Sequence, residues 1–184
     1  MKLKELFLIS SGVNARRNSQ GNTYYLQARD FLDERTIDPL LEPEILYSPK
    51  LDKHFLYSGD VLVLSKGHHG FRAYGFNEEK TPAVASSIFM VLRNTSKEIL
   101  QEYLIWHINL ESTQNYLINS SRGSALPAIN KTILGELDVP VPSIEIQMAI
   151  VGLNKLKNKE SKITIELDKL KKRVLEYQLK EIIK

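Results

Sequence analysis

A chain of 184 residues with a 42% hydrophobic share is long enough for one ordinary domain plus an appendage, and apolar enough for a real core. It has no cysteine, which excludes a disulfide framework and a thiolate metal site and suits a reducing compartment. The net charge is +3, but residues 151–184 carry 10 basic and 5 acidic side chains, so the 150 residues before them are slightly acidic.

Loose alternation from Lys2 to Ser10 predicts a helical turn leading into a strand. The apolar run there is short and broken by Lys and Glu, so neither a signal peptide nor a spanning segment is expected, and a cytoplasmic protein is. Residues 10–22 form a polar loop with two glycines and the pair Arg16-Arg17. Thr23 to Gln27 is β-prone. Phe31 to Asp38 is charged, and Pro39, Pro43 and Pro49 punctuate the next stretch, so a loop-rich excursion is expected. Ser58-Gly59-Asp60 reads as a turn and Val61 to Leu64 as a buried strand. A loop with Gly67 and Gly70 comes next, then a returning strand from Phe71 to Phe76. Ala83 to Leu92 reads as one core strand. Ser96 is the expected N-cap of a helix, with Glu98 in its first turn. Ile99, Leu100, Tyr103, Leu104 and Trp106 recur at helical spacing as far as Asn109. A second short helix is expected over 112–118.

The stretch 123–150 is the most informative. A small-residue loop, a short helical piece and a Pro-punctuated extended segment lead to a helix start at Ser143. Ile146, Ile150 and Leu153 fall on one stripe. Ile163, Leu167, Leu170, Val174 and Tyr177 continue at spacings of 4, 3, 4 and 3. That is a heptad seam of about two heptads, broken toward the N-terminus near Lys157 and Glu160. About 40 helical residues span roughly 60 Å, too long for the domain to cover, so the seam predicts pairing with another helix.

Enzyme constellations are missing. There is no Gly-rich phosphate loop, no Gly-x-Gly-x-x-Gly and no Gly-x-Ser-x-Gly. No Asn/Asp-Pro-Pro-aromatic tetrapeptide is present to hold a base for methylation. After Asp60 the nuclease pattern of acid-x-Lys fails, because Leu64 stands where the acid is needed before Lys66. His68 and His69 are adjacent, so their side chains diverge and lack a third ligand. No catalytic residue and no metal site are therefore expected.

The basic groups suit a nucleic-acid reader better. Arg16 and Arg17 in a Ser/Asn/Gly loop can present guanidinium forks to guanine edges or phosphates, and an exposed surface pair is the alternative. Lys66, His68, His69 and Arg72 cluster in the Gly67/Gly70 loop, where glycine allows close approach of backbone to a ligand. Ser120 to Ser124 is a third polar loop and carries Arg122. Arg29 completes the candidate set. Trp106, Tyr24, Tyr25 and Tyr103 read as core or rim rather than stacking platforms.

With these residues in hand, the chain resembles the DNA-specificity subunit of type I restriction–modification systems. The resemblance covers essentially the whole chain. It runs from Lys4-Glu5-Leu6 through Ser11-Gly12 to Ser58-Gly59-Asp60-Val61-Leu62. It is most specific at Leu126-Pro127-Ala128-Ile129-Asn130, Leu137, Val139-Pro140-Val141-Pro142-Ser143, Gln147 and Ile150. Each element alone is weak; their order and spacing before a long helix carry the resemblance. It implies an α/β fold: a mixed α+β target-recognition domain over 1–142, then a spacer and dimerisation helix over 143–184. The domain would read half of a bipartite site in double-stranded DNA. Adenine methyltransferase subunits would dock alongside, with the restriction/translocase subunit as a further partner. S-adenosylmethionine and catalysis would belong to those subunits, and this chain would need no cofactor. The family's usual chain has two recognition domains and two spacer helices. This one shows one of each, so a half-subunit is expected, pairing through Ile163 to Tyr177 as a homodimer or with a different half. The competing readings are a protein-interaction or oligomerisation module, an inactive specificity cassette, and a stand-alone nuclease or methyltransferase, the last disfavoured by the missing motifs.

Overall fold

The computed structural model describes residues 1–67, 70–77, 79–96, 98–121 and 126–183. His68, His69 and Arg122 of the candidate set lie outside them. In chain order the elements are α1 (Leu3–Leu6), β1 (Phe7–Ser11), β2 (Tyr24–Leu26), β3 (Val61–Leu64), β4 (Ala73–Gly75), β5 (Ala83–Ala85), β6 (Phe89–Asn94), α2 (Gln101–Asn109), α3 (Glu111–Ser120), α4 (Lys131–Gly135) and α5 (Ile144–Ile183). Short 3-10 turns cover Ala28–Asp30 and Pro49–His54 within an otherwise irregular excursion. The class is mixed α/β with a long C-terminal helix, as expected.

Four strands form an antiparallel sheet in the order β1-β6-β3-β4, and β2 pairs in parallel with β5. The four-stranded sheet is covered on both faces. Val61 and Val63 of β3 and Met90 and Leu92 of β6 face a core shared with Leu104, Ile105 and Ile108 of α2. Leu62, Phe89 and Val91 face a second core with Leu26, Phe31, Ile37 and Leu56. Two covered faces explain why β3 reads as an unbroken apolar run: period-2 alternation now separates two cores rather than core and water.

Two expected elements change. The strand expected over 83–92 is two strands. Phe89 N–H donates to Ser86 O at 2.9 Å, making a turn at residues 86–88 that carries the chain from one sheet to the other. Ser96 caps no helix; α2 begins only at Gln101. Asn94 takes over that segment: its Oδ1 accepts from Ser96 N–H at 3.1 Å and its Nδ2 donates to Ile99 O at 2.8 Å. Such Asx turns compete with helix.

Asp60 anchors the corner between β3 and β6. It is 1% exposed and accepts from Arg93 Nε at 2.9 Å and Nη2 at 2.7 Å, and from Tyr57 N–H at 2.9 Å. The Arg93 guanidinium lies 4.3 Å from the Tyr57 ring centroid. The carboxylate holds the Arg93 pKa up, against its partial burial. The acid that fails the nuclease pattern is a structural one.

Candidate functional site

Three loop systems open at one end of the four-stranded sheet. β1 ends at Ser11 opposite Met90, and Gly12 N–H continues to Phe89 O at 3.0 Å. β3 ends at Leu64 opposite Phe89, and Ser65 donates from N–H and Oγ to Ile88 O. The segment after α3 joins the same place: Ile129 N–H donates to Ser65 O at 2.8 Å and Gly67 N–H to Pro127 O at 3.1 Å. The sequence carries Arg16-Arg17 just beyond Gly12 and Lys66 beside Gly67.

Gly12 is the hinge of this end. A Cβ there would lie 2.1 Å from Ser86 O and 2.6 Å from Ala85 O, so the crossing of the first loop over the β5–β6 turn requires glycine. Gly67 and Gly70 have φ of 141° and 86°, the left-handed backbone that only glycine adopts freely. Gln114 of α3 holds the far side of that loop, accepting from Phe71 N–H at 2.8 Å.

The candidate cations differ in their surroundings. Arg17 pairs with Glu44 at 3.0 Å and Arg29 lies 3.6 Å from Asp30. Burial raises the Asp30 pKa, with Arg29 and Arg17 pulling against it, so these groups form one neighbourhood. Among the described residues, Arg16, Lys66 and Arg72 have no ion pair, and all three are exposed. Arg16 borders a shallow hollow of about 400 Å³ with Ile45, Leu46 and Ser48. Arg72 stands apart. It lines a cleft of about 740 Å³ between the domain and α5, opposite Lys159 and Lys162. Tyr25 and Tyr103 are buried, while Tyr24 and Trp106 are half-buried, so none of the four is a free platform.

The other end of the sheet holds α5. Gln147 is fully buried and uses its whole amide. Oε1 accepts from Leu100 N–H at 2.9 Å, and Nε2 donates to Glu98 O at 2.8 Å and Pro142 O at 2.9 Å. Leu100 is the N-cap of α2 and has no side-chain cap of its own. Tyr103 Oη donates to Pro140 O at 3.1 Å, and His107 Nε2 meets Asp138 O at 3.0 Å. Burial lowers the His107 pKa, with the Asp138 carbonyl opposing. Ile150 and Val151 pack on the main core, whereas Ile146 and Leu153 of the expected stripe stay exposed. Sequence spacing missed Gln147 as a structural residue, because a polar side chain in an apolar stripe gives no periodic signal.

At about 100° per residue, Ile163, Leu167, Leu170, Val174 and Tyr177 lie on the face of α5 opposite Gln147, Val151 and Asn154. All five are exposed, Leu167 and Leu170 at 47% each. Leu156, exposed at 66%, continues the same seam one heptad earlier, with Glu160 between it and Ile163.

The model of the family described as type I restriction modification DNA specificity domain matches residues 1–176. The chain belongs to that family. The HsdS subunit from Thermoanaerobacter tengcongensis is similar at a TM-score of 0.60 and 20% identity, over 86% of this chain and 37% of that one. A chain from a structure on assembly and conformational transition of the type I R-M system gives 0.58 and 20%, over 89% and 39%. The S subunit from M. genitalium gives 0.53 and 18%, over 92% and 43%. The chain thus spans about two fifths of the length of these proteins, and the likeness is one of fold. A sequence search of the curated proteins returns no match. No described helix is long and apolar enough to cross a membrane.

Proposed function

We propose that this chain is the sequence-reading part of a type I restriction–modification assembly, without chemistry of its own. The family match over residues 1–176 carries this reading. The loop end of the sheet serves as the DNA face: Arg16, Arg17, Arg29 and Lys66, with His68, His69 and Arg122, reach base edges or phosphates in the groove. Arg72 belongs to the cleft beside α5 and joins this face only from its margin. Two chains pair through the seam from Ile163 to Tyr177, so two heads read an interrupted site of two-fold character. Methyltransferase subunits bring S-adenosylmethionine and the reaction, the restriction subunit brings cleavage, and this chain needs no cofactor. The work is cytoplasmic.

The test is binding to a randomised duplex library at rising salt, with the solution mass measured in parallel. A dimer that enriches a bipartite sequence, with affinity falling steeply in salt, supports the reading. A protein that enriches no sequence, or whose affinity for duplex is flat in salt, overturns it in favour of a protein-interaction module.

A further inference from the structure

We infer that Gln147 is the residue that fixes the distance between the two half-sites; this rests on the proposed DNA-reading role. Its leverage is mechanical. The head packs on α5 through its first turns, where Gln147 is the one buried residue of the helix among those described, and farther along meets it through the exposed Lys162–Asp33 ion pair at 3.7 Å, which holds it weakly. Its amide ties three separate segments together: the extended run before the helix at Pro142, the β6–α2 connection at Glu98, and the start of α2 at Leu100. Ile150 and Val151 add apolar burial, a driving force with no direction of its own, and both are only partly buried, so their packing constrains the helix less than a fully enclosed contact would. Hydrogen bonds are directional and set the angle.

That angle is amplified by the helix. From Gln147 to the end of the seam at Tyr177 the rise is about 45 Å. A tilt of only about 4° at the joint therefore moves a head by about 3.4 Å, the rise of one base pair. A head that must tell a spacer from one a base pair longer needs a joint stiffer than that. Gln147 supplies three bonds at the pivot, where small displacements matter most.

The experiment uses the full-length protein. The wild type first selects its sequence from a randomised duplex library. Its affinity is then measured on that sequence with the spacer stepped one base pair at a time. A spacer of the wrong length has to be bent or twisted into place, a penalty of about tenfold in affinity. Gln147→Met fills the same space without a donor or acceptor. It is expected to flatten the profile, bringing adjacent spacers within about threefold of the best one. Val151→Ala trims the neighbouring apolar contact and leaves the three bonds. It is expected to lower stability and keep the wild-type profile. Gln147→Glu keeps the acceptor for Leu100 and loses both donors, so an intermediate profile is expected even where the Met variant folds badly. If the wild type selects a bipartite site and both Gln147 variants that bind it keep the wild-type profile, the inference is wrong. It is also wrong if Val151→Ala flattens the profile as much as Gln147→Met. If the wild type selects no bipartite site, the proposed function fails first.

Discussion

Asp60→Ala removes the acceptor for Arg93 Nε, Arg93 Nη2 and Tyr57 N–H at once. Breaking a buried ion pair from one side costs about 3–5 kcal/mol. Here only one partner is deeply buried: the Asp60 side chain is 2% exposed and that of Arg93 is 37%. Arg93 can rehydrate, and it keeps its bond to Phe55 O at 2.9 Å and its place over Tyr57. The lower end, roughly 3 kcal/mol, is therefore expected. For a chain of this size that is a fall in Tm of about 6–12 °C. Asp60→Asn keeps the shape and one good acceptor and is expected to lose about half as much. Trp106 is the single tryptophan and packs 5.4 Å from Tyr103, so its fluorescence in a urea titration reports head unfolding. The midpoint should drop with little change in slope. A loss below about 1 kcal/mol for the Ala variant is the value of a surface pair and refutes the reasoning. A cycle with Arg93→Met separates the pair energy from the lost Tyr57 bond.

Gly12→Ala is expected to cost at least about 2 kcal/mol, because both clashing atoms are backbone oxygens; near wild-type urea stability would mean the loop crossing is free to shift. His107 is held neutral by burial, with its folded pKa below the unfolded value of about 6.5. Its contribution is full above that value and declines as pH falls below it toward the folded pKa, so wild type should lose more stability than His107→Gln between about pH 7.5 and 5.5. Equal losses in the two proteins would remove the assignment. Arg16 lacks the carboxylate that Arg17 has in Glu44, so Arg16→Ala should reduce the salt slope of DNA binding by about one unit, and Arg17→Ala by less; the reverse order in a salt titration counts against the arrangement. Glu at both Leu167 and Leu170 should convert a paired chain to monomer by light scattering while leaving Trp106 fluorescence unchanged; an unchanged mass rejects the seam.

The strands that line both cores were legible because Val61 to Leu64 is bounded by a Gly turn on each side. The terminal helix was legible because its seam repeats by heptads. The turn at residues 86–88 was hidden because Ser86-Ser87 sits inside an apolar run, and a change of sheet leaves no periodic mark. The start of α2 lies later than expected because the N-cap chemistry of Ser96 is pre-empted by the Asx turn of Asn94 two residues before it and by Gln147 from far along the chain. The candidate site was half legible. Basic residues in glycine-bearing loops stood out one by one, while their gathering at one sheet end depends on long-range pairing such as Lys66 with Ala128. The neutralising partner Glu44 gave no signal beforehand because it is remote in sequence from Arg17, whereas Asp30 directly follows Arg29.

Apart from the exposed Lys162–Asp33 ion pair, the polar bonds at the joint between head and helix share one property: every side chain involved bonds to backbone. Gln147 meets the main chain of Leu100, Glu98 and Pro142, Tyr103 that of Pro140, and His107 that of Asp138. Main-chain atoms are the same whatever residue carries them. The side chain at position 98 can therefore change without loosening the fastening, whereas Leu100 also packs on the main core and Asp138 also pairs with Lys2. The fastening of the joint thus depends on the path of the main chain and on the three side chains keyed to it.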